Sequence, residues 1–140
     1  MSSILEKCQV IEDGISQLGI NPATCRGKNA GEWDFVRGSA KIAVGIRQSE
    51  KYPQGYFYVV SSMLDVNQVP HHRKLELFQV LMEENLKLVE LKFCYGDSTI
   101  LLVTNRNAQG LDKIEVANSI DQLSYHADLL DDLIINKFTR

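Results

Sequence analysis

The segment 56–64, YFYVVSSML, constrains the fold more than any other part of the chain. Its side chains alternate with a period of two, which is the repeat of a β-strand. Both of its faces are apolar, one carrying Tyr56, Tyr58, Val60 and Leu64 and the other Phe57, Val59 and Met63. Two explanations stay open: a central strand covered on both faces, or a strand with one face reserved for another subunit or a ligand.

Four further segments predict strands that pair as two hairpins. Residues 33–36 and 41–47 flank Gly38-Ser39, and residues 91–95 and 99–105 flank Gly96-Asp97-Ser98. Short turns of this composition join antiparallel strands. Together with the segment 56–64, the two hairpins predict a five-stranded, mainly antiparallel sheet.

Three segments have helical periodicity. The first stripe is Ile4, Cys8, Ile11, Ile15 and Leu18, and we expect this helix to lie across the sheet. A last, long helix is predicted over 111–138, with the inward-facing residues Ile114, Ala117, Ile120, Ala127, Leu130 and Ile134.

The middle helix, which we expect to begin near Pro70, has two adjacent apolar stripes. One consists of Leu75, Phe78, Met82 and Leu86, and the other of Leu77, Leu81 and Leu88. A helix that is apolar over more than one face must touch more than one neighbour. The sequence therefore predicts a subunit interface here, with Leu77, Leu81 and Leu88 buried between two copies.

The predicted order is α-β-β-β-α-β-β-α, with no repeat, low-complexity segment or linker. Hairpins between helices indicate an α+β protein and not a doubly wound α/β sheet. A chain of 140 residues is expected to bury one core, so we predict one domain over 1–140.

The composition excludes several classes of protein. The net charge of -3 implies no general attraction to nucleic acid or to an anionic membrane. No apolar run approaches the roughly 20 residues that span a bilayer, and no signal peptide is recognisable, so the cytoplasm is the expected location. Cys8, Cys25 and Cys94 form no CxxC motif and are expected to be buried or half-buried thiols.

Few residues form a pattern that supports catalysis. The motifs GxGxxG, GxxxxGK[ST], HExxH and GxSxG do not occur. His71 and His72 are adjacent, so on a helix they point about 100° apart and do not converge on one ion. Cys25 precedes Arg26 and Lys28, which could lower its pKa. We predict no catalytic, metal or cofactor-binding residue and no cofactor, and an enzyme with a non-local site stays an alternative.

Nucleic-acid binding is a second, less favoured alternative. The stretch 26–51 is rich in Lys and Arg, and its cations are interleaved with Trp33, Phe35, Tyr52 and Tyr56, as in a single-strand platform. The aromatic signature of RNA-recognition modules is missing, and the whole chain is acidic.

The chain resembles the YbjN family in its order of elements and in two consecutive segments. The first runs from Val69-Pro70 through Leu81-Met82-Glu83-Glu84-Asn85-Leu86, and the second is the following strand, turn and strand at 90–104. That family shares the fold group of the Tir-type (class I) chaperones of type III secretion. The likeness spans about 4–138. The sequence departs from it at Glu83-Glu84, where a more apolar or Asn-rich ending is usual.

The resemblance implies a cofactor-free homodimer of α+β subunits that offers apolar grooves and β-edges to a protein client. We therefore expect a non-catalytic, chaperone-like or adaptor module whose partners are a second copy of itself and an unidentified protein. One face of the strand at 56–64, with Tyr56, Tyr58 and Val60, is predicted to form the partner groove. Neither a membrane nor a nucleic acid is an expected partner.

Overall fold

The computed structural model describes residues 4–139, and five strands of this part form one sheet. The strands are β1 (Glu32–Arg37), β2 (Ala40–Arg47), β3 (Tyr56–Asp65), β4 (Lys92–Gly96) and β5 (Thr99–Asn107). Their order across the sheet is β1-β2-β3-β5-β4, and all neighbouring pairs are antiparallel. The single-domain α+β architecture is confirmed, with β3 at the centre.

The described residues also form three α-helices: α1 (Ile4–Gln17), α2 (Lys74–Lys87) and α3 (Lys113–Thr139). The middle helix begins later than predicted because a 3-10 turn, His71–Arg73, follows Pro70. None of the helices in 4–139 has an apolar stretch long enough to cross a membrane.

The helix α3 lies across one face of the sheet, which we call the inner face. It contacts β3, β2 and β5, whereas α1 packs mainly beside α3 and reaches the sheet at β2. The first helix therefore covers only part of the sheet, and α3 covers the larger part of this face.

The inner face and the two helices enclose the hydrophobic core. Strand residues that are buried in it include Ile42, Val44, Phe57, Val59, Ile100 and Leu102, and α3 adds Ile120, Leu123, Ala127 and Ile134. Leu64 is also buried, although the alternation placed it with Tyr56 on the opposite face. A register shift between Ser62 and Leu64 in the β3–β5 ladder changes the side to which the strand end points.

Two other burial predictions are wrong. Ile114, predicted to face inward, is exposed in the first turn of α3, because it lies on the opposite side of the helix from the buried Val116. Cys94, predicted to be buried or half-buried, is exposed on β4, whereas Cys8 is half-buried and Cys25 buried. The sheet leaves Cys94 exposed because it lies on an edge strand and on the face opposite the buried Phe93.

Both predicted hairpin turns are present. At the β1–β2 turn, Asp128 of α3 accepts hydrogen bonds from the backbone N–H and the hydroxyl of Ser39, at 2.9 and 2.6 Å. These two bonds hold the pKa of Asp128 below its usual value. At the β4–β5 turn, Asp97 and Ser98 have φ of 51° and 63°, the left-handed conformation that matches the twist of a two-residue hairpin.

The helices α1 and α3 approach each other closely at Gly14. A Cβ atom there would lie 2.5 Å from Cγ1 of Val116 and 2.9 Å from the carbonyl oxygen of Lys113. Both distances are shorter than van der Waals contact, and one involves backbone that cannot rotate away. The crossing of the two helices therefore requires glycine at this position.

We predict that Gly14→Ala destabilises the protein. Overpacking costs about 1–3 kcal/mol, whereas the higher helix propensity of alanine returns at most about 1 kcal/mol. Urea unfolding followed through Trp33 fluorescence measures the difference. Ser16→Ala, an exposed change in the same helix, is the control and should be neutral or slightly stabilising. Equal or higher stability of Gly14→Ala would contradict the tight crossing.

Candidate protein-binding surface

The outer face of the sheet has no helix packed on it among residues 4–139. We call it the open face. Its apolar and aromatic side chains project from four strands: Val36, Ala43, Tyr56, Tyr58, Val60, Leu101 and Val103. Val36 is 62% exposed, and the others are only partly covered by their neighbours.

A shallow apolar groove of about 490 Å³ lies in the middle of the open face. Val60 is its centre, since Val60 pairs with Ala43 on β2 and with Val103 on β5. Lys41 and Ser62 add polar groups to the lining of the groove. A concave apolar floor with a few polar groups is the usual form of a site for another molecule's side chains.

The other end of the open face is aromatic and cationic. Tyr58 lies over Gly45, where a Cβ atom would be 2.2 Å from the phenol oxygen, so the glycine leaves the space that the ring occupies. The guanidinium of Arg47 is 5.6 Å from the centre of the Tyr58 ring, which is cation–π distance. Tyr56 is 6.3 Å from Tyr58 and 5.9 Å from Tyr52, measured between ring centres.

The structure thus brings Tyr56, Tyr58 and Val60, the predicted partner groove, together on the open face. Of the two explanations for a strand that is apolar on both faces, the first, cover on both faces, does not apply within residues 4–139, because α3 covers β3 on one face only. Docking of a client on this face stays a prediction.

The two stripes of α2 have different surroundings. Leu77 and Leu81 are buried in the subunit's own core, and Leu88 is half-buried at the end of the helix. The other stripe is on the surface, with Leu75, Met82 and Leu86 exposed and Phe78 half-buried. Leu77 and Leu81, predicted as interface residues, therefore present no surface to a second copy. The sequence could not distinguish the stripes, because each has helical spacing and similar size.

The side chain of Asn85 attaches α2 to the edge strand β4. Its Oδ1 accepts the Phe93 N–H at 2.6 Å, and its Nδ2 donates to the Phe93 carbonyl at 3.2 Å. The amide therefore pairs with Phe93 as a neighbouring strand would, and this prevents another strand from pairing at that point. Nearby, the ammonium of Lys92 donates to the carbonyls of Asn85 and Leu88 at the end of the helix.

The other sheet edge is partly covered as well. Gly27 N–H donates to the Glu32 carbonyl at 2.7 Å, and Asp34 N–H donates to the Cys25 carbonyl at 2.8 Å. The segment 25–27 therefore pairs with the first half of β1. With both edges partly occupied, the open face is the more accessible surface of the sheet.

The thiol of Cys25 does not have the environment that would activate it. Arg26, expected to lower its pKa, instead forms a two-point pair with the Glu12 carboxylate, at 2.8 and 3.0 Å. Burial and the negative charge of Glu12 raise the pKa of Cys25, so the thiol is protonated at neutral pH. Hydrogen bonds from Arg26 and from the indole N–H of Trp33 lower the pKa of Glu12 itself.

The remaining chemical candidates are dispersed. His71 and His72 are both exposed, and residues 4–139 contain no cluster of three or more His, Cys, Asp or Glu that could hold a metal ion. Trp33, which the nucleic-acid alternative needs, is buried on the inner face of β1 and bonded to Glu12. Of the other aromatic residues of that platform, Tyr56 lies on the open face and Tyr52 lies next to it.

Comparison with solved structures identifies the same fold in three complexes. A chain of the ExsC–ExsE complex aligns with a TM-score of 0.70 at 12% identity, over 96% of this chain and 97% of its own length. A chain of the heterodimeric ExoU–SpcU complex, from the type III secretion system of Pseudomonas aeruginosa, gives 0.60 at 14% identity over 89% and 96%. A chain of the ExoT–SpcS complex from Pseudomonas aeruginosa aligns with a TM-score of 0.58 at 12% identity, over 87% of this chain and 94% of its own length.

At these identities the likeness shows the fold, which is the type III secretion chaperone-like fold that the sequence resemblance predicted. No protein-family model matches the chain, and no curated protein sequence matches it. The narrower resemblance to the YbjN family therefore stays a prediction.

Proposed function

We propose that this protein is a non-catalytic, chaperone-like binding module that holds a client protein on its open face and acts as a homodimer. The observation that carries the proposal is the open face itself. Apolar side chains of four strands lie side by side there without a helix of the described chain over them. Such a surface is costly to leave in water, and contiguous apolar patches mark sites of protein interaction.

The solved complexes support the proposal by analogy. Each of the three, ExsC–ExsE, ExoU–SpcU and ExoT–SpcS, is a complex of two different proteins, and each contains a chain with this fold. We transfer from them only the general role of binding a protein. The cytoplasm is the compartment in which such a module would meet a newly made client.

The homodimer is proposed to form through the exposed stripe of α2. Leu75, Met82 and Leu86 lie on one helix face, and Leu86 is 91% exposed. Leu77 and Leu81 support this interface indirectly, because their burial in the core fixes the orientation of α2. Leu88 lies at the edge of the proposed interface. Pairing α2 with its copy would cover three large apolar side chains on each subunit, and burial of one such side chain is worth about 1.5–3 kcal/mol.

For client binding, we predict that Val60→Glu and Val103→Glu each reduce the amount of captured client at least about tenfold, roughly 1.4 kcal/mol. A carboxylate in the centre of the groove must be desolvated when a client covers it. Tagged protein is incubated with host extract, and the retained proteins are quantified by mass spectrometry.

Leu5→Glu is the matched control, since it places the same charge at an exposed apolar position of α1, away from the open face. All variants are compared at equal folded concentration, verified by circular dichroism. Proteins retained by wild type and by Leu5→Glu but lost from both open-face variants support the proposal. Equal retention by all four forms would place the binding site elsewhere.

For the dimer, we predict a mass of about twice the 15.8 kDa of one chain by light scattering, and a monomer for the double variant Met82→Glu/Leu86→Glu. Both positions are exposed, so the subunit fold should survive the change. Leu5→Glu should stay dimeric. A wild-type monomer at high concentration, or a dimer that the double variant does not dissociate, would eliminate this interface.

A further inference from the structure

The solvent side of α3 has an apolar stripe that neither the core nor the two proposed interfaces use. Tyr125, Leu129 and Leu133 are spaced four residues apart, so they lie on one side of the helix. They are 65%, 53% and 62% exposed. This side points away from the sheet, because the buried residues of α3, such as Leu123 and Ala127, occupy the opposite side.

Two clefts lie beside α3 and share Gln122, and Tyr125 of the stripe lines one of them. One, of about 420 Å³, lies between α3 and the connection from α2 to β4, and is lined by Leu88, Val89, Tyr125 and His126 among others. The second, of about 400 Å³, lies between α3 and the end of β5 and is lined mainly by polar side chains, including Thr104, Asn118, Ser119 and Glu90. Val89, which lines the first cleft, is 77% exposed. We call the clefts and the stripe together the α3 surface.

The charge of the helix α3 is mainly negative. The helix carries Glu115, Asp121, Asp128, Asp131 and Asp132 against Lys113 and Lys137 at its two ends. Of the cations on facing elements, Arg37 pairs with Asp121, Arg106 with Glu115, and Lys87 with Glu84. Burial, and after it the negative charges of Asp132 and Asp128, raise the pKa of Asp131.

Glu90 adds a further carboxylate at the cleft, in a strained position. Its φ of 66° is in the left-handed region, which a residue other than glycine occupies at a cost of about 1–2 kcal/mol. Strained residues are concentrated at functional sites. Here the conformation turns the chain from Val89 into β4 and leaves Glu90 in the lining of the polar cleft.

We propose that the α3 surface docks a basic amphipathic helical segment of the client, with its apolar side chains on Tyr125, Leu129 and Val89 and its Lys or Arg groups toward Asp132 and Glu90. The inference rests on the proposed protein-binding function but concerns a different surface from the open face. A second copy is the less suitable occupant, since a two-fold pairing of α3 with itself would bring Asp132 and Asp128 near their own copies.

The test uses two synthetic peptides of about 14 residues, which as helices are about 21 Å long. Both have the same leucine stripe, and their polar positions are all lysine in one and all glutamate in the other. Binding to the intact protein is measured by fluorescence anisotropy at low and at physiological salt, and amide NMR spectra locate the contact. We expect the lysine peptide to bind at least tenfold more tightly than the glutamate peptide and to shift α3 resonances.

Variants then locate the site. Leu129→Ser and Asp132→Lys are expected to weaken binding of the lysine peptide about tenfold or more, whereas Val60→Glu on the open face should leave it unchanged. Equal affinity for the two peptides would overturn the inference. Binding of the lysine peptide that is lost in Val60→Glu but kept in Leu129→Ser would also overturn the inference. That result would leave the proposed function intact. If Leu129→Ser instead converts a dimer into a monomer, the α3 surface is an interface between copies and the inference is wrong.

Discussion

The packing of α3 across the inner face of the sheet determines the rest of this structure. A single long helix buries one side of β2, β3 and β5, and Asp128 and Asp121 of the same helix hold the β1–β2 hairpin through Ser39 and Arg37. Because α1 packs beside α3, both helices lie on the same side of the sheet. The opposite face can be covered only by another molecule, as far as residues 4–139 are concerned. Its apolar residues therefore indicate binding and not a second core layer.

The position of α2 follows from the same arrangement. With the inner face occupied by α3, the middle helix is attached at the β4 edge through Asn85, and Leu77 and Leu81 reach the core from there. Its other stripe is then exposed. One subunit thus presents three apolar surfaces, on the sheet, on α2 and on α3. Because these surfaces are separate, the proposed second copy and two parts of a proposed client would bind without competing.

Much of the fold could be predicted from the sequence, because periodicity and turn residues are local signals. The order of elements and both hairpin turns depend on such signals. The errors concern long-range contacts. Leu64 lies on the unexpected face because of a register shift. The sequence predicts Leu77 and Leu81 at an interface because, without the neighbouring elements, it does not show which of the two stripes of α2 is buried in the core. Nor does spacing along the chain show that Arg26 pairs with Glu12, or that burial and the charge of Glu12 outweigh the effect of Arg26 on the pKa of Cys25. The contact of Asn85 with Phe93 had no recognisable signal beyond a polar residue near a helix end.

The central claim, that the sheet is covered on one face only and binds a client with the other, is tested most directly by hydroxyl-radical footprinting. The chain alone should be oxidised faster at Tyr56, Tyr58 and Val103 than at Phe57 and Leu102, which belong to the same strands but face α3. In the presence of the captured client, oxidation of the first three should fall while that of the other two stays low. Slow oxidation of both sets in the dilute, client-free chain, or rates on the open face that a bound client does not change, would contradict the account.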